Sequence, residues 1–186
     1  MKDGAFQLRL SGTGGQGLIL AGRMLAETLV GLGFRVSQST TYEPTSRGGV
    51  SRSDLVVAPG DVDYPLVTGL DALLVLAQPA VAISEGLLGP GSVIVTDAEA
   101  VTRPPRAGAP VHALPLIEKA RELGNLRVAN VVGLGALVTL APACAFEPLE
   151  RVVEASAPAR YRQVNVTALR AGRELAEEAA GVVAAR

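Results

Sequence analysis

Six residues near the start of the chain, Gly12-Thr13-Gly14-Gly15-Gln16-Gly17, have the types and the spacing to hold an anionic group. They match the pattern G-x-G-x-x-G. Glycines let the chain turn tightly, and they let backbone N–H groups approach a phosphate or carboxylate at a helix N-terminus. Thr13 and Gln16 could add side-chain hydrogen bonds to a bound group or cap the helix. A second glycine-bearing segment, Tyr42-Glu43-Pro44-Thr45-Ser46-Arg47-Gly48-Gly49, follows the next strand. A guanidinium beside two glycines can fork onto a carboxylate or phosphate. The alternative for Arg47 is a structural ion pair, with Asp54 or Asp97. Gly48 and Gly49 supply a tight turn, with or without a role in a site. Tyr42 either donates a hydrogen bond at an interface or simply packs.

Three uses of the first loop stay open on pattern alone: dinucleotide binding, plain helix–strand packing, or contact with another polar or phosphate-bearing group. A dinucleotide site wants an acid about 20 residues past the glycines, to hold the ribose hydroxyls. Here the second strand ends Val36-Ser37-Gln38-Ser39-Thr40-Thr41, and the first acid, Glu43, lies in a loop. Asn130 opens an apolar helix and reads as an N-cap before a ligand. Gly133, Gly135 and Ala136 make that helix thin on one side, for an internal or an intersubunit contact. His112 has no acid or nucleophile in a recognisable pattern around it. Cys144 reads as a small packed hydrophobe. Asp61 and Asp63 lack a third oxygen donor at metal-binding spacing and read as a solvated turn.

The elements that must position these residues are legible from periodicity. Phe6–Leu10 alternates as a strand, and Leu18–Leu32 has helical apolar spacing, with Gly33 as its stop. Phe34–Ser39 is the next strand, so β, glycine loop, α and β form a unit whose strands should be parallel. Val50–Ala58 is a strand with a polar first half, as expected at an edge or facing a site. Ala72–Ala77 is a continuous apolar run, the mark of a central strand. Pro79 opens a helix, Ser92–Thr96 and Val111–Leu114 are further strands, and the chain is helical from Pro115 onward. The expectation is a three-layer α/β domain over residues 1–186, with a mostly parallel sheet, helices on both faces and a helical C-terminal third.

Composition limits the function classes. Of 186 residues 48% are hydrophobic and 19% charged, enough for one core and too few charges for a disordered chain. The net charge of −1 lacks the basic footprint of a nucleic-acid binder. A single cysteine cannot hold an iron–sulfur cluster, so an electron carrier would sit on another chain. The uncharged stretch from Val128 to Ala145 approaches membrane-span length, but Asn130, Gly133, Gly135, Thr139 and Pro142 interrupt it, as expected for a core helix. The first residues lack a signal pattern, so the cytoplasm is the expected compartment.

The glycine loop followed by an Ala-containing helix resembles the opening of the gamma subunits of 2-oxoacid:ferredoxin oxidoreductases. Tyr42–Gly49 and the following Val50-Ser51-Arg52-Ser53 resemble that family's Tyr-Gly-Pro-Glu-x-Arg-Gly-Gly segment and its Ser-rich strand. Asn130 with Leu134-Gly135-Ala136 is similar to a late helix of the same family. Glu43 and Thr45 depart from the pattern, where Gly and Glu are usual. The resemblance covers residues 6 to 140. It implies a scaffold subunit of an oxidoreductase acting on the oxo group of a 2-oxoacid such as pyruvate or 2-oxoglutarate, with coenzyme A as acyl acceptor and ferredoxin as electron acceptor. It implies that thiamine diphosphate, magnesium and iron–sulfur clusters sit on alpha- and beta-type partners, with a delta-type ferredoxin-like subunit as a further candidate. It also implies that Gly12–Gly17, Tyr42, Arg47–Gly49 and Asn130 are this chain's candidate cofactor-binding residues. The alternative reading is a stand-alone nucleotide-binding α/β module.

Overall fold

A computed structural model describes residues 4–42, 49–62 and 64–184; for Tyr42 and residues 182–184 the backbone alone is described. Six strands form one sheet: β1 Phe6–Thr13, β2 Arg35–Tyr42, β3 Val50–Ala58, β4 Leu70–Val75, β5 Leu88–Asp97 and β6 Val111–Leu114. The helices are α1 Leu18–Gly31, α2 Ala82–Glu85, α3 Leu116–Glu122, α4 Ala129–Leu140, α5 Phe146–Ser156 and α6 Ala159–Ala184. The strand order is β2-β3-β1-β4-β5-β6. β1, β4, β5 and β6 pair in parallel, and β3 is antiparallel to both β1 and β2.

β1 and β2 therefore point the same way, as the βαβ reading expects, but β3 lies between them. This also moves β3 off the edge where its polar half suggested it would lie. Its serines have another cause. Ser51 and Ser53 face α1, which approaches so closely that a Cβ on Gly22 would overlap Ser53 Oγ. Small side chains on the strand and none on the helix let the two meet, and Gln38 Nε2 donates to Ser53 Oγ at 2.9 Å.

The two faces of the sheet differ. One carries the main core, with Leu8, Leu10, Leu55, Leu74 and Val95 packed under α1, α3 and α4, and with α5 and α6 closing over these helices. The other is covered by a single 3₁₀ turn at Gln78–Ala80, by α2 and by the segment around Val101, against Leu73, Val75 and Ile94. β1 and β4 are central, and β4 is buried on both faces, in keeping with its unbroken apolar run.

α1 ends in a Schellman motif: Phe34 N–H donates to Leu29 O (3.0 Å) and Gly33 N–H to Val30 O (3.0 Å). α4 is buried nearly all round, from Ala129 to Val138. That is why its length of sequence lacks charge, and no helix among the described residues is long and apolar enough to cross a membrane.

Candidate functional site

β1 and β2 end, and β3 begins, at the same rim of the sheet. The antiparallel register sets Thr13 opposite Val50, Gly12 opposite Ser51, and Tyr42 opposite Ser51 on the other side. Gly49, the last residue of the second glycine-bearing segment, therefore meets the first loop. Gly14 N–H donates to Gly49 O at 2.9 Å, so the loop is bonded to the residue that leads into β3. Arg47 and Gly48 lie outside the described residues. Tyr42 ends β2 at this rim.

The inside of the loop is filled by Gln16. Its Oε1 accepts from Thr13 N–H at 2.7 Å, and its Nε2 donates to Leu76 O at 3.2 Å. The carboxamide ties the end of β1 to the chain leaving β4, so Gln16 braces the loop instead of pointing at a ligand. A Cβ on Gly12 would overlap Gln16 Oε1, which explains a glycine at that position.

Gly17 is the turn into α1. It takes φ 72°, a left-handed conformation, and its carbonyl accepts from Ala21 N–H and from Asn130 Nδ2 at 2.8 Å. A Cβ there would come within 2.7 Å of Asn130 Nδ2. Asn130 is 3% exposed and is the second residue of α4, not its cap; the residue before the helix is Val128. The N-cap expectation fails because Asn130 reaches across to a residue 113 positions earlier. Asn125 is the residue that caps, accepting Arg127 N–H at 3.1 Å ahead of the 3₁₀ turn Leu126–Val128.

The outside of the loop is open. Gly15, at φ 88°, would have nothing within 4 Å of an added Cβ. α1 has no side-chain cap, and the N–H groups of Leu18, Ile19 and Leu20 find no acceptor among the described residues. Unpaired donors and the positive end of the helix dipole suit an anion. No carboxylate stands in the first turn of α1 to compete for that place.

Other singled-out residues sit elsewhere. Asp54 pairs with Arg9 on the opposite face of the sheet. Asp97 is 1% exposed and accepts from the backbone N–H groups of Glu99, Ala100 and Ile117. The Arg9–Asp54 pair was missed in the sequence, although strict alternation in β1 places Arg9 on the polar face. His112 lies in β6 beside Val95. Asp63 lies outside the described residues. No cluster of three carboxylate, imidazole or thiol groups exists among the described residues to hold a metal.

Cys144 packs against the main core, and burial pushes its thiol up to about 11. A raised thiol pKa keeps the neutral form dominant at all lower pH. At pH 8 about 0.1% is thiolate, against roughly a quarter for an ordinary thiol. Iodoacetamide is thus expected to alkylate Cys144 about two-hundred-fold more slowly than a cysteine peptide, as followed by mass spectrometry. Peptide-like rates would show that the thiol is not held in the core.

Residues 7–175 match the family described as pyruvate ferredoxin/flavodoxin oxidoreductase. Over 176 residues the chain is 33% identical to the 2-oxoglutarate synthase subunit KorC of Methanocaldococcus jannaschii, spanning 92% of this chain and 94% of that one. Among solved structures, the gamma subunit of a keto/oxoacid ferredoxin oxidoreductase from Geobacter sulfurreducens superposes with a TM-score of 0.86 at 36% identity, covering 95% of this chain and 98% of the other. The 2-oxoglutarate:ferredoxin oxidoreductase of Magnetococcus marinus, solved with 2-oxoglutarate, coenzyme A and succinyl-CoA bound, shares the fold at a TM-score of 0.82 and 21% identity. There the match covers 95% of this chain but 32% of the longer one.

Proposed function

Because this chain belongs to the pyruvate ferredoxin/flavodoxin oxidoreductase family, we propose that its glycine loop completes a site shared with partner subunits. The chain is the gamma-type subunit of a 2-oxoacid:ferredoxin oxidoreductase. The reaction joins a 2-oxoacid to coenzyme A with loss of carbon dioxide, and two electrons leave one at a time to ferredoxin. Thiamine diphosphate, with its magnesium, supplies the carbanion chemistry from the alpha- and beta-type subunits, and iron–sulfur clusters on partners carry the electrons. Among the described residues no three carboxylate, imidazole or thiol groups cluster together. The complex operates in the cytoplasm. 2-Oxoglutarate is the favoured substrate, since the full-length relatives are 2-oxoglutarate synthase subunits.

What this chain contributes is an anion-receiving rim. The observation that carries the reading is the loop bonded to the start of β3, Gly14 N–H to Gly49 O, with the open amides of α1 beside it. Among the reactants, coenzyme A has the phosphates that such a helix N-terminus takes. In the sequence Arg47 and Gly48 stand between Tyr42 and Gly49, and the guanidinium of Arg47 has the chemistry to pair with a phosphate.

Leaving this chain out of a reconstitution with its partner subunits tests the function. Ferredoxin reduction by 2-oxoglutarate and coenzyme A is expected to be lost and to return on adding the chain. Full activity without it would overturn the reading. Asn130→Ala tests the rim. Removing a buried hydrogen bond that shapes the Gly17 turn costs about 1–2 kcal/mol. The KM for coenzyme A is expected to rise about ten-fold while the KM for the 2-oxoacid stays. Equal rises in both would place the rim elsewhere than at coenzyme A.

A further inference from the structure

The glycine loop borders a groove on the helical side of the molecule. Asn130, whose amide pins Gly17, also lines it. Leu20 and Met24 of α1, Val128 of the 3₁₀ turn Leu126–Val128 and Tyr161 of α6 form apolar walls around about 170 Å³. Leu20 is 54% exposed, Tyr161 37%, and Leu126 on the adjoining 3₁₀ turn 55%. Single exposed apolar residues are ordinary, but here two of them wall one concave site with a third beside it. The volume is below the roughly 300 Å³ at which small-molecule sites begin. It suits one or two inserted side chains from another protein.

The charges around the groove indicate what kind of protein. No carboxylate among the described residues lines it. Arg127 does line it and forms no ion pair among the described residues. Arg160 stacks over Tyr161, its Cζ 4.7 Å from the ring centroid, also without a carboxylate partner there. A guanidinium rim around an apolar floor complements an apolar anchor flanked by acids. The same fold occurs elsewhere as about a third of a longer chain, so it is a module that accommodates further protein beside it.

We propose that this groove docks a partner subunit of the oxidoreductase, which inserts an apolar side chain flanked by carboxylates between α1, the Leu126–Val128 turn and the start of α6. The proposal rests on the subunit assignment made above. Leu20 and Tyr161 would be its anchors, and Arg127 the residue that selects acidic sequence.

The test titrates the purified full-length chain into the remaining subunits of the complex and reads the dissociation constant at low and high salt. Leu20→Glu and Tyr161→Glu are each expected to weaken binding about thirty-fold, the size of an interface anchor. Arg127→Glu is expected to weaken it about ten-fold at low salt and less at high salt. Leu32→Glu, at the other end of α1 and 44% exposed, is expected to leave it unchanged. Thermal melts check that each variant is folded, and Leu20→Ser replaces Leu20→Glu if the charge unfolds the chain. Wild-type affinity in both anchor variants would overturn the docking site while leaving the subunit assignment standing. Failure of the wild-type chain to bind would overturn that assignment instead. Unchanged or tighter binding by Arg127→Glu would overturn the acidic partner. Self-association of the wild type that Leu20→Glu abolishes would name a second copy as the occupant and overturn the proposal.

Discussion

Asp54→Ala is expected to destabilise the fold by about 3–5 kcal/mol, read as a lower urea midpoint. Asp54 meets Arg9 in a two-point pair, with Arg9 Nε donating to Oδ1 at 2.7 Å and Nη2 to Oδ2 at 2.8 Å. Arg9 is 2% exposed and Asp54 4%. Arg9 Nη1 donates onward to Ile83 O at 2.7 Å, which fastens α2 to the thinly covered face of the sheet. Arg52 stands farther from Asp54, at 3.7 Å. Truncating the acid strands a guanidinium with no water to solvate it, and the cost of an uncompensated buried charge falls in the stated range. The control is Arg9→Met with Asp54→Leu. Removing both charges together leaves neither unpaired, so the double variant is expected to be far closer to wild type than Asp54→Ala. A single variant as stable as wild type would show that the pair is hydrated in solution.

Gly172→Ala is expected to lower the melting temperature by about 10 °C, the shift for roughly 3 kcal/mol in a chain of this size. α6 crosses α4 with backbone nearly against backbone. A methyl on Gly172 would overlap Val132 O, come within 2.8 Å of Val132 C and within 3.0 Å of Ala136 N. A methyl on Gly135 would overlap Leu169 O in the same way from the other helix. These neighbours are main-chain atoms, so no rotamer change relieves the clash and the helices must part. Gly181, on the same helix, has nothing within 4 Å of an added methyl. Gly181→Ala is expected to stabilise slightly, by about 0.5 kcal/mol, since alanine favours a helix over glycine. Opposite signs for one chemical change on one helix separate packing from propensity; equal signs would contradict the close crossing.

The thin stripe on α4 was visible in the sequence as Gly133, Gly135 and Ala136. Its partner was not. Gly135 faces α6 inside the same chain, and Gly133 faces Leu74 of the sheet, so the stripe is spent internally and is not the surface offered to another subunit. The glycine loop was legible as a tight turn into a helix, and so was its place at the end of the first strand. The braces behind it were not legible, because Gln16 and Asn130 act on Leu76 and Gly17 across 60 and 113 residues.

Local order determined the elements. Val50–Ala58 and Val111–Leu114 coincide with the strands expected from the sequence, and α1 ends where Gly33 predicts, because short apolar runs, helical spacing and a stop glycine are all recorded within a short window. Only the tertiary structure decided that β3 slots between β1 and β2, that Arg9 finds Asp54, and that Gly14 bonds to Gly49. Strand pairing and buried polar contacts join residues far apart in the chain, and no local period encodes which distant partner shares a face. The amino-acid order alone settled what each segment is; the packing of distant segments settled what each one touches.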